Sequence, residues 1–373
     1  MVDATASPPG SPVRAAPSFS AQTVRQLVRL SLGGDALRVK VSNLFGTTPL
    51  TITALRVARS TGASSIDVSS DVAVTFSGQA SVTVPAGAEL YSDTVALATS
   101  PLTTLAISMY FAGAVTVPTI HPVARQTPYV IGGNQVSAGT LVGASVDPTG
   151  PYYALTSVET LSPEATKVVV AFGDSHTDGV GSTPDAAKRF PNQLDDRLKA
   201  AGRTRTGVVN EGIGGNRWLN DFAGPTATSR LDRDLLSVPG VTHAIILEGI
   251  NDIGFSVSPA PSQDVSATQI GGAIANAVAR AKSRGIKVIV GTLLPYKGAD
   301  YYSAAGDAKR QAVNDWIRSG GSGADAVVDF DRALQNPADP AALNPAYESG
   351  DHLHPNDAGY GVMAAAVDLS LLQ

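Results

Sequence analysis

The chain has 373 residues, a length suited to two domains, and its 43% hydrophobic and 16% charged residues exclude a disordered chain. A formal net charge of −5 without any concentrated basic stretch argues against a nucleic-acid partner. No apolar run approaches the roughly 18 residues of a membrane span, and the lack of cysteine excludes disulfides, thiolate metal sites and cysteine nucleophiles.

Residues 1–17 are rich in Ala, Pro and Ser and lack the apolar segment of a signal peptide, so they read as a flexible leader. Such a leader fits a secreted protein trimmed of its signal or a cytoplasmic protein with a loose N-terminus. From 18 to 162 the pattern is that of strands. Leu37, Val39 and Val41 alternate with Arg38, Lys40 and Ser42, the two-residue period of a sheet with one wet face. Similar runs cover 50–57, 72–76, 81–84, 94–97 and 105–111. Turn-forming stretches such as Ser77-Gly78, Pro85-Ala86-Gly87 and Gly132-Gly133-Asn134 separate them. Short strands, frequent turns and no helical pattern predict an all-β sandwich or jelly-roll domain.

The character changes at Pro163. Residues 167–172 (KVVVAF) form a continuous apolar run, as in a strand buried on both faces of a parallel sheet. Runs at 244–247, 288–292 and 326–330 look alike, and a shorter one covers 207–210. Helical patterns lie between them. Phe190, Leu194 and Leu198 share one face, with Pro191 suited to a first turn and Gly202 to the end. Stretches 270–283, 306–318 and 357–369 also read as helices. Residues 163–373 are therefore expected to form an α/β domain, a three-layer sandwich around a mainly parallel sheet. Ligands of such sheets gather at the carboxyl ends of the strands.

Each strand end is followed by residues able to do chemistry. Gly173-Asp174-Ser175 follows the first, Asn210 to Asn216 (NEGIGGN) the second, and Glu248-Gly249-Ile250-Asn251-Asp252 the third. Before the last helix stands Asp351-His352-Leu353-His354-Pro355. A serine hydroxyl needs a base to take its proton, and histidine titrates in the useful range. The histidine needs a carboxylate to hold its tautomer, and the tetrahedral oxyanion needs preorganised N–H donors. Gly215 could offer its backbone N–H at close approach, Asn251 its side-chain amide, and Ser175 its own backbone N–H.

The blocks AFGDSHTDG, NEGIGGNRW, LEGINDIG and SGDHLHPNDAGY, in this order, resemble those of the SGNH (GDSL-like) hydrolases over roughly residues 165–373. GGNRW and DHLHPNDAGY are similar to extracellular members that carry an N-terminal β-domain. The resemblance implies a flavodoxin-like SGNH hydrolase fold and a serine esterase that needs no metal or organic cofactor. It implies Ser175 as nucleophile, Asp351 and His354 as the acid–base pair, and Ser175, Gly215 and Asn251 as oxyanion donors. The implied substrates range from acetylated polysaccharides to lipids and simple esters, with a secreted protein acting on short acyl or acetyl esters of a small molecule or glycan expected here. His176 departs from the family by standing where the name-giving leucine would be, and is expected on the rim without a role.

Taken singly, Asp-Ser in a turn often only caps a helix, Asn251-Asp252 could be a turn, and Asp351 with His354 could be a surface pair. Asp174 is expected to fix its turn by hydrogen bonding, and His243 and His121 to be structural. Arg217 and Trp218 could line the pocket or anchor the loop, and Tyr296 has the same two readings. Two competing functions are open. His352 and His354 would project the same way from an extended segment and could bind zinc with Asp174 or Asp178. Alternatively, the β-domain holds a glycan and the α/β domain is a degenerate esterase.

Overall fold

The structure, a computed structural model, describes residues 1–5, 15–162 and 166–373. They fall into two compact units, with 162 and 166 bounding the junction. The expected change of domain at Pro163 lies outside the described residues, as do residues 6–14 of the leader.

The first unit is all-β. Strands Gln22–Arg29, Thr104–Phe111 and Ala54–Gly62 lie side by side in antiparallel register at the centre of a seven-stranded sheet. A three-stranded sheet places Ala36–Ser42 between Glu89–Tyr91 and Leu155–Leu161, with the alternating Leu37, Val39 and Val41 buried. The strand Gln22–Arg29 (QTVRQLVR) escapes the alternation test because it is buried on both faces, its polar groups being spent internally. Arg25 donates to Ser108 Oγ at 2.8 Å and to the carbonyls of Ser64 and Ala138 at 2.5 and 2.8 Å. Gln26 exchanges two hydrogen bonds with the backbone of Tyr153.

Three expectations change in this unit. Residues 50–57 are not one strand: the chain breaks at Thr53, and Leu50–Ile52 pairs with Val82–Val84 while Ala54–Gly62 joins the large sheet. Residues 94–97 form no strand, since only Val95 exchanges backbone bonds with Leu37 as an isolated bridge. The start of the leader is not loose. Val2 and Asp3 pair with Ile120 and Thr119, and Val2 and Ala4 are buried, so apolar burial outweighs the chain entropy of the terminus.

The second unit is α/β. Five parallel strands, β1 (Lys167–Gly173), β2 (Thr206–Gly212), β3 (Val241–Leu247), β4 (Lys287–Gly291) and β5 (Ala326–Val328), run in the order β2-β1-β3-β4-β5. This flavodoxin-like order reverses direction at β1, so the β1 and β3 ends flank the switch-point crevice where such sheets bind ligands. Among the described residues eight α-helices accompany the strands: α1 (Ser175–Asp178), α2 (Phe190–Ala200), α3 (Ala227–Leu231), α4 (Ile250–Gly254), α5 (Ala267–Ser283), α6 (Ala304–Arg318), α7 (Phe330–Leu334) and α8 (Asp357–Ala366). Helix α2 packs on α8 and β2, and α5 packs on α6 and β4. Helix α5 starts before residue 270 because Ser266 and Gln269 form a reciprocal capping box. Helix α8 stops before residue 369, where Asp368 caps a separate turn at Leu369–Leu372. No helix among the described residues is long and apolar enough to cross a membrane.

Candidate active site

Strand β1 ends at Gly173 and the chain turns directly into α1. Asp174 makes that turn possible, its Oδ1 accepting the backbone N–H of His176 at 2.9 Å as an N-cap. Ser175 is then the first helical residue, so its backbone N–H has no intrahelical acceptor. The side chain sits at the strand tip in a residue only 5% exposed.

The loop preceding α8 reaches the same point. Ser175 Oγ lies 2.8 Å from His354 Nε2, and His354 Nδ1 lies 2.5 Å from Asp351 Oδ2. A carboxylate only accepts, so Nδ1 carries the proton and the Nε2 lone pair faces the hydroxyl. Asp351 Oδ1 also accepts the backbone N–H groups of Leu353 and His354 at 3.0 and 2.8 Å. Burial alone would raise the Asp351 pKa; the bonds from the His354 ring and these backbone groups outweigh it and hold the carboxyl well below its usual range. The geometry does not suit the zinc alternative. His352 takes a left-handed φ of 61° rather than an extended one and has its Nδ1 3.2 Å from Glu348, whereas His354 Nε2 faces Ser175 Oγ at 2.8 Å. Among the described residues no group of three or more His, Asp or Glu is placed to hold a metal ion.

The glycine turn after β2 lies beside the serine: a Cβ added to Gly214 would stand 4.0 Å from that of Ser175. Two glycines are needed for this fit. A Cβ at Gly212 would lie 2.1 Å from the Asp178 nitrogen, and Gly215 has φ 78°, with Ala223 Cβ 2.9 Å from its own would-be Cβ. Asp178 accepts the Gly214 N–H at 3.1 Å and so sets the turn from below. Asn251, at the start of α4, donates from Nδ2 to the Asn216 carbonyl at 3.0 Å, which brings its amide next to Gly215. Ser175, Gly215 and Asn251 thus belong to loops at the ends of β1, β2 and β3, and the Asp351–His354 loop before α8 is hydrogen-bonded to the first of them.

Arg217, Trp218 and Tyr296, for which the sequence left two readings, and several further buried residues support this arrangement. Trp218 is fully buried; its ring lies 6.2 Å from Phe172, its indole N–H donates to the Glu248 carbonyl at 3.0 Å, and Asp252 accepts its backbone N–H at 2.8 Å. Arg217 spends its guanidinium on Asn220, Asp221 and Gln263 beside the rings of Phe222 and Phe255. Both anchor the loop. Tyr296 is also fully buried, its ring 5.9 and 5.2 Å from those of Tyr301 and Tyr302. Asp252 also accepts the Leu219 N–H at 3.2 Å, and burial pushes its pKa up to about 6.

The most connected of these residues is Arg230, on α3. It donates to the carbonyl of Gly173 at 2.8 Å, the carbonyl of Glu211 at 2.9 Å and Asn216 Oδ1 at 2.7 Å, and pairs with Asp234 at 3.2 Å. One guanidinium therefore ties the end of β1, the end of β2 and the glycine turn together, lying 4.0 Å over the Phe172 ring. Its fixed fork of five donors suits that task. Beside it Glu248 is fully buried, 3.8 Å from Arg230, and burial followed by the charge of Asp174 pushes its pKa well up.

His176 corrects the rim expectation. It is 1% exposed, and its Nε2 donates to the Leu353 carbonyl at 2.9 Å, bracing the Asp351–His354 loop from inside. Burial alone would lower its pKa; the Asp174 carboxylate 3.3 Å away, the Leu353 carbonyl and the charge of Asp351 together raise it. A signal for this was present, because the leucine it replaces is itself a core residue type. His243, at the start of β3, bonds to Thr242 Oγ1 at 2.8 Å, and His121 lies in a strand of the first unit paired with Tyr152.

The GDSL-like lipase/acylhydrolase family model matches residues 171–362, which contain all of the strand-end residues described above. The chain belongs to that family. It is accordingly an ester hydrolase. Solved structures with similar chains include a putative acylhydrolase from Bacteroides fragilis, 23% identical, with TM-score 0.42 over 56% of this chain and 88% of that one. A GDSL-like lipase from Bacteroides thetaiotaomicron is 22% identical, with TM-score 0.42 and the same two coverages. A mutant acetyl-xylooligosaccharide esterase from Geobacillus stearmophilus is 19% identical, with TM-score 0.45 over 56% of this chain and 94% of that one. Among curated proteins, none matches the chain.

Proposed function

We propose that this GDSL-like hydrolase is a serine-dependent carboxylic ester hydrolase that works through an acyl-enzyme, with the chemistry assigned to residues 163–373. The observation that carries the reading is the unbroken relay from Ser175 Oγ to His354 at 2.8 Å and on to Asp351 at 2.5 Å. In this mechanism Ser175 attacks the ester carbonyl carbon while His354 Nε2 takes its proton. Asp351 keeps the imidazole in the required tautomer and stabilises the imidazolium. The oxyanion is met by the backbone N–H groups of Ser175 and Gly215 and by the Asn251 amide. His354 then protonates the leaving alcohol, and water activated by the same imidazole releases the acid.

The substrate we propose is a short-chain acyl or acetyl ester of a small molecule or glycan. The test pairs Ser175→Ala with a fluorophosphonate probe and a panel of nitrophenyl esters and acetylated glycans. Turnover should vanish in Ser175→Ala while the fold persists, and the probe should label wild type at Ser175 only. Failure to label wild type would revive the reading of a glycan-binding protein with a degenerate esterase domain.

A further inference from the structure

The segment that follows β4 carries a tyrosine that no motif singles out. Tyr301 donates its hydroxyl to Asn251 Oδ1 at 3.2 Å. Its ring lies flat against the backbone of α4, since a Cβ added to Gly254 would stand 2.4 Å from it, and the rings of Phe255 and Tyr296 flank it at 5.8 and 5.9 Å. Burial first, then the charge of Asp174, the neighbouring Tyr296 and the charge of Asp351, push its pKa well above the ordinary tyrosine value. The hydroxyl therefore keeps its proton, and donates, throughout the neutral range.

A primary amide has two donors and one acceptor oxygen. The Asn216 carbonyl can only accept, so it selects the Nδ2 side of Asn251 at 3.0 Å, and Tyr301 holds the opposite, Oδ1 side. Among the described residues one Nδ2 proton has no acceptor, and it lies in the amide plane that these two partners fix. The same segment also touches the acid–base arm: a Cβ added to Gly298 would lie 2.9 Å from the His352 ring, between Asp351 and His354 in the chain.

We propose that Tyr301 is a positioning residue for ester hydrolysis, its hydroxyl locking the Asn251 amide so that the free N–H is aimed at the oxyanion. The segment from Gly298 to Tyr301 then braces the oxyanion arm and the Asp351–His354 arm together. This rests on the reading of Ser175 as nucleophile and Asn251 as oxyanion donor. Its role is distinct from that of the donor itself, because a partner that orients a reacting group acts through the rotational freedom it removes.

The experiment is a double-mutant cycle of Tyr301→Phe and Asn251→Ala, with kcat and KM for nitrophenyl acetate, the pH profile, and melting temperature. Tyr301→Phe removes one oxygen and keeps the ring against Gly254. It should lower kcat roughly tenfold, a fraction of the hundred- to thousandfold loss typical of deleting an oxyanion donor, with KM within about twofold. The pH profile should not shift, and in the Asn251→Ala background the added Tyr301→Phe change should cost nothing further. Gly254→Ala, which displaces the ring and leaves the hydroxyl in the chain, should reproduce the kcat loss. An unchanged kcat in Tyr301→Phe, or an equal loss with and without Asn251, would overturn the proposal. Fluorophosphonate labelling of wild-type Ser175 separates the two levels. A labelled serine with an unaffected Tyr301→Phe enzyme defeats only the role of Tyr301, whereas an unlabelled serine defeats the serine mechanism beneath it.

Discussion

Both units suspend backbone from a buried guanidinium, and the two arrangements differ in what holds the charge. In the β unit Arg25 is fully buried and its donors go to Ser108 and to carbonyls of Ser64, Val136 and Ala138. Among the described residues no carboxylate comes within ion-pair reach of it, and burial lowers its pKa, with the more distant Asp71 opposing. In the α/β unit Arg230 takes three comparable neutral partners but also pairs with Asp234 and lies near Glu248. The first clamp joins loops and strands that carry no candidate chemistry. The second joins the ends of β1 and β2, and so fixes the spacing of the serine from the glycine turn. A buried charge with neutral partners serves architecture, and one with carboxylate partners can also set the electrostatics of a site, because its loss leaves other charges exposed in a low-dielectric interior.

This contrast can be broken by substitution. The largest effect is expected from Arg230→Met, which removes the donor of the Gly173 and Glu211 carbonyls and of Asn216 Oδ1 and leaves Asp234 with Arg233 as its remaining cation. Stability should fall by about 3 kcal/mol or more, because three buried acceptors lose a charged donor and Asp234 loses one of its two cations, and turnover per folded molecule should fall at least about tenfold as the serine and glycine turn lose register. Denaturant melts and active-site titration check both. A stable Arg230→Met enzyme with normal turnover would reduce this clamp to ordinary architecture.

Arg25→Met should cost less, about 1–3 kcal/mol, because hydrogen bonds are lost but no partner charge is left unpaired. Turnover per folded molecule should be unchanged. A turnover loss matching that of Arg230→Met would erase the distinction drawn between the two clamps.

The smallest effect separates the charge states around Arg230. Burial raises the Glu248 pKa above its unfolded value, so its contribution to stability is fully present below about pH 4.5 and is lost as pH rises toward the folded value. Glu248→Gln imitates the protonated acid. Its stability relative to wild type should match near pH 4 and improve as pH rises toward 7, by at most about 1.4 kcal/mol per pH unit. A difference that stays flat with pH would mean that Glu248 is ionised in the folded protein and that the Arg230 cluster carries more negative charge than described above.

Much of the second unit was legible in its sequence, for a local reason. Buried parallel strands such as β1 are continuous apolar runs, and Ser175, Gly215 and Asn251 follow three such runs by a few residues, whereas the candidate pair Asp351 and His354 is separated from β5 by α7 and a short hairpin. The first unit was less legible. Gln22–Arg29 contains Arg25 and Gln26 and looks half-wet, yet both side chains are neutralised by partners up to 127 residues away. The start of the chain looked loose for the same reason, since nothing local in Val2–Asp3 announces its pairing with Ile120.

The sequence by itself therefore determined the period of each strand and helix, the order of the strand-end residues and the chemical types available there. Tertiary structure alone decided partners: that His176 turns inward to Leu353, that Trp218 and Arg217 anchor the loop, that Arg230 spans β1 and β2, and that Tyr301 meets Asn251. Backbone geometry repeats within a few residues and is written in local patterns. A hydrogen bond between residues 50 or 177 positions apart depends on which segments the sheet order brings together, and no local pattern encodes that.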